Sequence, residues 1–186
     1  MKPTEYLEEI LNELQESAKL IDEQELQEAK AFIMQANRVF VAGMGRSGYA
    51  ARAFSNRLMH LGISTFFVGE ATTPAIAKGD LLVIGSGSGT TGSLVSMANK
   101  AKDIGADIAT ITIFPQATIG KLAKVCIRIP GATPKSQEEN VFQSKQPLGS
   151  AFEQMSWLVY DVLIQMIMGE KGISVEEMFS RHANLE

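Results

Sequence analysis

Residues 85–93 are all glycine, serine or threonine. They directly follow four apolar residues, Leu81, Leu82, Val83 and Ile84. A helical pattern then begins near Ser93, which is typical of a buried strand, a tight turn and the N-terminus of a helix. Such a turn presents backbone N–H groups and the positive end of a helix dipole, and both favour a bound anion. Glycines let the backbone approach a ligand closely, and the hydroxyl groups add hydrogen-bond donors.

The same loop lacks the lysine of the Gly-Lys-Ser/Thr nucleotide-binding loop. A phosphate held by amides and hydroxyls alone favours a small sugar phosphate over a nucleotide with its magnesium ion. An ordinary glycine-rich turn that binds nothing is the alternative, but such a turn needs fewer hydroxyl groups than this loop provides. The predicted phosphate-binding residues are Ser86, Gly87, Ser88, Gly89, Thr90 and Thr91.

A second glycine turn, residues 43–48, follows the first predicted strand, 38–42, and repeats the same pattern 42 positions upstream. In an open parallel sheet, turns that follow neighbouring strands meet at the carboxyl edge, where ligands bind. We therefore expect Arg46 and Ser47 near the same ligand, although Arg46 could instead pair with an acidic residue. The turn also fits the start of a dinucleotide fingerprint with Glu70 as its acidic residue. The hydroxyl-rich loop, which a dinucleotide does not need, weighs against that alternative.

Glu153 is the candidate for proton transfer. It lies one turn into an otherwise apolar helical segment, beside Phe152 and before Trp157. Apolar neighbours raise the pKa of a carboxyl group, which suits proton transfer near neutrality. A first-turn glutamate that only interacts with the helix dipole is an equal alternative. The two histidines are less informative, because His60 lies near a helix end and His182 in a polar tail, and no cluster has the spacing of metal ligands.

The composition excludes several classes of protein. The 186 residues suit one domain over residues 1–186, and the net charge of −4 argues against non-specific nucleic-acid binding, which needs a basic face. Cys126 is the only cysteine, which predicts no intrachain disulfide and a reducing cytoplasm. The acidic N-terminus does not have the pattern of a signal peptide, and the most apolar run, 158–168, is too short to span a membrane.

Five apolar runs alternate with helical patterns between residues 38 and 130. The predicted strands are 38–42, 64–68, 80–84, 107–113 and 125–129. This alternation predicts an α/β protein with a five-stranded parallel sheet covered by helices on both faces, a three-layer α/β/α sandwich.

Helices are predicted on either side of this sheet core. Residues 1–37 contain two amphipathic helices, the first capped by Thr4, which could flank the sheet or supply an oligomer surface. Residues 149–186 contain a long helix that we expect to end at Gly169 and a short one that begins with a capping box at Ser174. The intervening segment 130–147 shows no periodicity and could be either a lid or a flexible surface loop.

The sequence resembles the 6-phospho-3-hexuloisomerases, single-domain members of the sugar isomerase (SIS) fold. Besides the two glycine turns, the resemblance is carried by Arg-Leu-Met-His-Leu-Gly at 57–62, Pro-Leu-Gly-Ser-Ala-Phe-Glu at 147–153 and Arg-His-Ala-Asn-Leu-Glu at 181–186. It covers essentially the whole chain. The glycine-serine loop alone would indicate only the SIS superfamily, and the blocks at 57–62 and 182–186 narrow the resemblance to this family.

The resemblance implies a doubly wound, flavodoxin-like sheet in a cytoplasmic homo-oligomer, commonly a tetramer. It implies interconversion of D-arabino-hex-3-ulose 6-phosphate and fructose 6-phosphate without a cofactor. That reaction is the second step of formaldehyde fixation or detoxification by the ribulose monophosphate route, with hexulose-6-phosphate synthase as a functional partner.

Site residues carried over by the resemblance fall on matched positions. Ser47 and residues 86–91 would hold the phosphate, and Arg46 would line the same site. Glu153 would be the base, and His182 an acid that could reach a neighbouring subunit's site. Thr90 stands where relatives often carry glutamate.

Two rival functions stay open at this level. Another SIS aldose–ketose isomerase, such as arabinose 5-phosphate isomerase, usually carries appended regulatory modules, and we expect none after Glu153. A non-catalytic sugar-phosphate sensor usually adds a DNA-binding domain and needs no base, whereas Glu153 is present and no basic helix-turn-helix precedes the sheet.

Overall fold

The computed structural model describes residues 2–131 and 144–185. The strands are β1 (Val39–Gly43), β2 (Thr65–Phe67), β3 (Leu81–Gly85), β4 (Asp107–Thr112) and β5 (Val125–Arg128). The helices are α1 (Pro3–Ala18), α2 (Glu23–Gln35), α3 (Gly45–His60), α4 (Gly92–Ile104), α5 (Thr118–Leu122), α6 (Ser150–Lys171) and α7 (Val175–Phe179). The segment 130–147, for which the sequence predicts a lid or a surface loop, lies mostly outside the described residues.

The five strands form one parallel sheet in the order β2-β1-β3-β4-β5. This order is the flavodoxin-like one, in which the chain switches direction across the sheet between β1 and β3. Val39 pairs with Leu81 and Gly43 with Gly85, the same offset of 42 positions as the repeat in the sequence. The two glycine turns therefore leave adjacent strands at one edge of the sheet, as predicted.

Helices cover both faces of the sheet, which confirms the three-layer α/β/α fold. Helices α2, α3 and α6 pack with one apolar cluster, and α4 and α5 with the other. Alternate residues of each strand point to opposite faces. Val41 accordingly belongs to the first cluster and Phe40 to the second.

Glycine is required where β1 approaches α3. A β-carbon on Gly48 would lie 2.7 Å from the carbonyl oxygen of Gly43, and one on Gly43 would lie 2.9 Å from the α-carbon of Gly48. Contacts this short with backbone atoms leave no room for a side chain. The pair therefore lets the first turn of α3 pack directly on the end of β1.

Two predicted helix boundaries were wrong, and in each case a neighbouring residue suits the position better. Helix α1 begins at Pro3, with Lys2 rather than Thr4 as its cap, because proline is preorganised for the first helical position and needs no N–H there. Helix α6 continues past Gly169 and ends at Lys171. Gly172 follows as its cap, with the left-handed φ of 64° that closes a helix. The predicted cap at Ser174 is confirmed, since its hydroxyl accepts the Glu177 N–H at 3.1 Å.

A buried carboxylate joins the starts of β1 and β3. Asp80, which is 2% exposed, accepts hydrogen bonds from Arg38 Nε at 3.1 Å, Arg38 Nη2 at 2.5 Å and the Ala77 N–H at 2.8 Å. Burial by itself would raise the pKa of Asp80, but the bonds from Arg38 and Ala77 lower it below its usual value.

We expect Asp80→Asn to reduce the free energy of unfolding at pH 7 by about 1.5–3 kcal/mol, the contribution of a hydrogen bond to a charged group. Because the pKa is lower in the folded state, this contribution is present above the unfolded pKa of about 4 and is lost as the pH falls through the folded pKa. Urea unfolding of both proteins from neutral to acidic pH measures it. A difference that stays constant across that range would contradict the role of the carboxylate charge.

Candidate active site

A cavity of about 410 Å³ opens at the carboxyl ends of β1 and β3, bordered by the N-termini of α3, α4 and α6. Its volume lies in the range of small-molecule sites. Its lining combines two glycine turns with an apolar wall and one carboxylate. The lining residues are Met44, Gly45, Arg46, Ser47, Gly85, Ser86, Gly87, Ser88, Thr91, Leu94, Ile113, Leu148, Gly149, Phe152 and Glu153.

Two helices point their N-termini at this cavity. Helix α3 begins at Gly45 and α4 at Gly92, and the residues just before or within their first turns line the cavity. The first N–H groups of a helix have no partner within it, and the helix dipole adds partial positive charge there. Gly45 adopts a φ of 59° with open space around it, a turn that glycine makes without strain. The cavity therefore has the features of an anion site.

The hydroxyl groups of the loop differ in their bonding. Ser86 Oγ accepts the Gly89 N–H at 3.2 Å, and Ser88 Oγ accepts the Thr90 N–H at 3.4 Å. Each of these hydroxyls keeps its own proton to donate to a ligand. The hydroxyls of Ser47 and Thr91 bond to no residue that the structure describes, so they can reorient toward a ligand.

An apolar wall packs directly against the loop. A β-carbon on Gly87 would lie 3.1 Å from the Phe152 ring and 3.5 Å from Ile113. Glycine at this position therefore allows the backbone to pass close to the wall.

Glu153 lies in the first turn of α6, with its side chain 19% exposed. Its Oε2 atom accepts a hydrogen bond from Arg46 Nε at 2.5 Å. The carboxylate raises the pKa of Arg46 above its usual value, which keeps the guanidinium charged. The structure thus gives Glu153 an ion-pair partner, whereas the sequence had suggested only apolar neighbours.

Helix α1 fixes the segment that leads into α6. The carboxylate of Glu13 accepts bonds from Ser144 Oγ at 2.7 Å, the Lys145 N–H at 2.8 Å and Gln146 Nε2 at 3.1 Å. Partial burial alone would raise the pKa of Glu13, but these bonds lower it. The segment then turns at Leu148, whose φ of 56° is unusual for a bulky residue. Such strain recurs at functional sites, and here it lies at the cavity rim.

The cavity brings together most of the predicted site residues. They are Arg46, Ser47, Ser86, Gly87, Ser88, Thr91 and Glu153. Gly89 and Thr90 do not line it: Gly89 turns with a φ of 63° against Ala117, and Thr90 is exposed to solvent. Their binding roles stay predictions. Leu148 and Phe152 also line the cavity but were not predicted as site residues. The sequence signal for them was the block 147–153, which carries the family resemblance and contains both.

His182 lies elsewhere in the same chain. Its ring stacks on His60, with ring centroids 5.2 Å apart, and both histidines line a separate cavity of about 260 Å³ between α3 and α6. Arg181 Nη1 donates to the carbonyl of His60 at 3.1 Å. Burial, followed by the charge of Arg57 and the His182 ring, lowers the pKa of His60. The blocks 57–62 and 181–186 therefore meet, but within one chain His182 does not share a cavity with Glu153.

The structure also bears on the dinucleotide site, metal sites and membrane-spanning helices considered from the sequence. Glu70, the acidic residue of the dinucleotide alternative, pairs with Arg52 Nη1 at 2.5 Å and does not line the cavity. Within residues 2–131 and 144–185, no group of three or more metal-binding side chains could hold an ion. No helix in that part of the chain has the length and apolar character to cross a membrane.

Comparison with known proteins agrees with this architecture. Residues 32–155 match the SIS domain family. The 3-hexulose-6-phosphate isomerase of Bacillus subtilis is 48% identical over 100% of both chains, and that of Mycobacterium gastri is 39% identical over 98% of this chain and 91% of its own. The crystal structure of the hypothetical protein MJ1247 from Methanococcus jannaschii, from which a function of 3-hexulose-6-phosphate isomerase was inferred, has a TM-score of 0.84 at 33% identity and covers 98% of this chain and 99% of that one. This chain belongs to the SIS domain family and, within it, to the 3-hexulose-6-phosphate isomerases.

Proposed function

We propose that this protein interconverts D-arabino-hex-3-ulose 6-phosphate and fructose 6-phosphate. The observation that carries the proposal is the presence of one partly buried carboxylate, Glu153, in the same cavity as two helix N-termini and a hydroxyl-rich loop. The first feature suits proton transfer at carbon, and the second suits a phosphate. The names of the B. subtilis and M. gastri relatives support the same substrate pair.

The reaction moves a ketone from C3 to C2. Glu153 removes the proton from C2, an enediolate forms across C2 and C3, and the same carboxylate returns a proton to C3. The two carbons are adjacent and share a cis-enediolate, so one carboxylate on one face serves both steps. A second proton moves in the same direction, from the oxygen on C2 to the oxygen on C3, and an acid such as His182 would mediate this transfer.

Charge at the enediolate oxygens needs a cation or donors nearby. Arg46 contacts Glu153 at 2.5 Å and lines the same cavity, so a substrate beside the carboxylate also lies within reach of the guanidinium. Holding the phosphate in the loop fixes C2 and C3 relative to Glu153. Such orientation lowers a barrier by up to about 7–11 kcal/mol.

A coupled assay tests the function directly. Hexulose phosphate is generated in place by a hexulose-6-phosphate synthase from formaldehyde and ribulose 5-phosphate, and fructose 6-phosphate is read out. We expect turnover that depends on the added protein and needs no cofactor. Arabinose 5-phosphate serves as the competing substrate. Faster turnover of arabinose 5-phosphate would favour the other SIS isomerase, and tight binding of fructose 6-phosphate with no turnover would favour a sensor.

The loop hydroxyls give a second prediction. We expect Ser47→Ala with Thr91→Val to weaken fructose 6-phosphate binding by at least tenfold, because each hydrogen bond to a charged phosphate contributes about 1.5–3 kcal/mol. Binding of free fructose should not change. Thr72→Val is the matched control, since Thr72 is exposed, lies outside the cavity lining and is not among the predicted binding residues. Calorimetry measures all three affinities, and an equal loss in the control would contradict the assignment.

The assembly, cellular location, partner enzyme and pathway of the protein stay predictions. A homotetramer, a cytoplasmic location and a functional pairing with hexulose-6-phosphate synthase follow from the proposed reaction and the family resemblance. The same holds for a place in the ribulose monophosphate route, whether it fixes formaldehyde or only removes it.

A further inference from the structure

Two buried threonines on β4 bond to different parts of the chain beside them. Thr110 and Thr112 are 1% and 0% exposed, and because they alternate along the strand their side chains share one face of the sheet. Thr110 Oγ1 donates to the carbonyl of Ile84 at 3.0 Å, within β3. Thr112 Oγ1 donates to the carbonyl of Gly87 at 3.2 Å, beyond the end of β3. Of the two, Thr112 alone contacts the hydroxyl-rich loop.

The hydroxyl group of Thr112 is engaged on both sides inside the protein. Besides donating to Gly87, it accepts the N–H of Phe114 at 3.2 Å. The Gly87 carbonyl also accepts the Ile113 N–H at 3.2 Å, so two groups at the carboxyl end of β4 hold one carbonyl of the loop. Thr112 does not line the candidate active site, and its effect on a ligand there must act through the loop.

Two further carbonyl groups of the loop are also bonded within the protein. The carbonyl of Ser86 accepts the Gly89 N–H at 3.2 Å, and that of Gly89 accepts the N–H of Ile119 in α5 at 3.0 Å. In the part of the chain that the structure describes, the N–H groups of Gly87 and Ser88 have no hydrogen-bond acceptor. Bonded carbonyls beside successive free N–H groups are the arrangement of a backbone anion site.

The bond from Thr112 fixes the direction of one of these free N–H groups. Gly87 and Ser88 are joined by a trans peptide unit, in which the C=O and N–H bonds point in opposite directions. A Gly87 carbonyl that is held toward β4 therefore turns the N–H of Ser88 away from β4. Without such a bond, the peptide unit could rotate easily, because glycine has access to both signs of φ.

We infer that Thr112 is a positioning residue for the phosphate site: its hydroxyl holds the 87–88 peptide unit so that the N–H of Ser88 donates to the phosphate. Ser88 lines the candidate active site. A reversed peptide unit would present the carbonyl oxygen of Gly87 instead, which repels an anion. A donor that is already oriented needs no reorganisation when the anion binds. The role of Thr112 rests on the proposed function for the identity of the ligand, a sugar phosphate.

Thr112→Val removes the hydroxyl with little change of shape, and valine suits a strand. Calorimetry should show fructose 6-phosphate and inorganic phosphate each bound about ten- to a hundredfold more weakly, the equivalent of one hydrogen bond to a charged group. In the coupled assay, KM should rise by a similar factor while kcat stays within about threefold of the wild type, because bound substrate and transition state lose the same contact. A lower kcat with unchanged KM would contradict the positioning role.

Thr110→Val is the matched control. It removes a buried hydroxyl from the same face of the same strand, together with a hydrogen bond to a carbonyl of β3 but none to the loop. Urea unfolding should show both valine variants to be less stable than the wild type. Thr110→Val should nevertheless bind both ligands within about twofold of the wild type, since its lost bond does not orient the loop. Equal weakening of binding in the two variants would overturn the role of Thr112.

A second pair of variants keeps the test independent of valine. Thr112→Ser and Thr112→Ala both lack the methyl group, and only serine retains the hydroxyl. We expect the serine variant to bind both ligands within about threefold of the wild type and the alanine variant to bind them as weakly as Thr112→Val. Equal affinities of the serine and alanine variants would contradict the role of the hydroxyl.

The same measurements separate the role of Thr112 from the isomerase function. A wild-type protein that binds phosphate without turnover, and loses that binding in Thr112→Val, would contradict the isomerase function and support the role of Thr112. Wild-type turnover together with unchanged phosphate affinity in Thr112→Val would support the function and overturn the role of Thr112. A wild-type protein that binds neither fructose 6-phosphate nor inorganic phosphate would contradict both.

Discussion

Replacement of Glu153 by glutamine should lower kcat by about 10²–10⁴-fold, the usual contribution of a positioned general base. Glutamine has nearly the same shape but cannot accept the C2 proton. The loop and helix N-termini that would hold the phosphate do not include this side chain. Fructose 6-phosphate should therefore bind the variant with an affinity within a few-fold of the wild type. The coupled assay gives kcat, and calorimetry gives the affinity.

Glu153→Asp separates loss of the base from loss of shape. It keeps the carboxylate but withdraws it by about 1.5 Å, the length of one C–C bond, and a displacement on that scale costs roughly 10²-fold in rate. We therefore expect aspartate to retain more activity than glutamine. A glutamine variant with near wild-type kcat would eliminate Glu153 as the base and with it the proposed mechanism.

A second large effect is expected from Gly48→Ala. The new β-carbon would lie 2.7 Å from the Gly43 carbonyl oxygen, and that oxygen belongs to the backbone of β1, which cannot move aside cheaply. Overpacking of this kind costs about 1–3 kcal/mol or more in the free energy of unfolding. Because relief of the contact pushes α3 away from β1, Arg46 and Ser47 should move as well, and kcat/KM should fall by about 10²-fold.

Gly92→Ala is the matched control for that variant. Gly92 also lies at a helix N-terminus beside the cavity, but a β-carbon added there would meet nothing within 4 Å, and its φ is not positive. Alanine there should change the free energy of unfolding by less than about 1 kcal/mol and should leave kcat/KM nearly unchanged. Urea unfolding and the coupled assay compare the pair. Equal behaviour of the two variants would contradict the close-approach argument.

Local patterns in the sequence were sufficient for the fold and for half of the site. Apolar runs that alternate with helical patterns determine a parallel sheet covered on both faces, since each run must be buried and each crossover needs a helix. The repeat at 42 positions even anticipated the pairing of β1 with β3, which brings Gly43 opposite Gly85. The loop hydroxyls and Glu153 were found because they break an otherwise apolar or glycine-rich pattern.

Only the tertiary structure decided which of these groups face one another. The contact of Arg46 with Glu153 joins residues 107 positions apart, and it depends on how α3 and α6 are aligned rather than on any local preference. The same alignment separates His182 from Glu153 within one chain and stacks it on His60. Sequence periodicity determines which face of a helix is buried, but the position of one helix along another is set by side-chain packing across the whole core. That packing is a long-range property, so the polar contacts of the site could be established only from the folded chain.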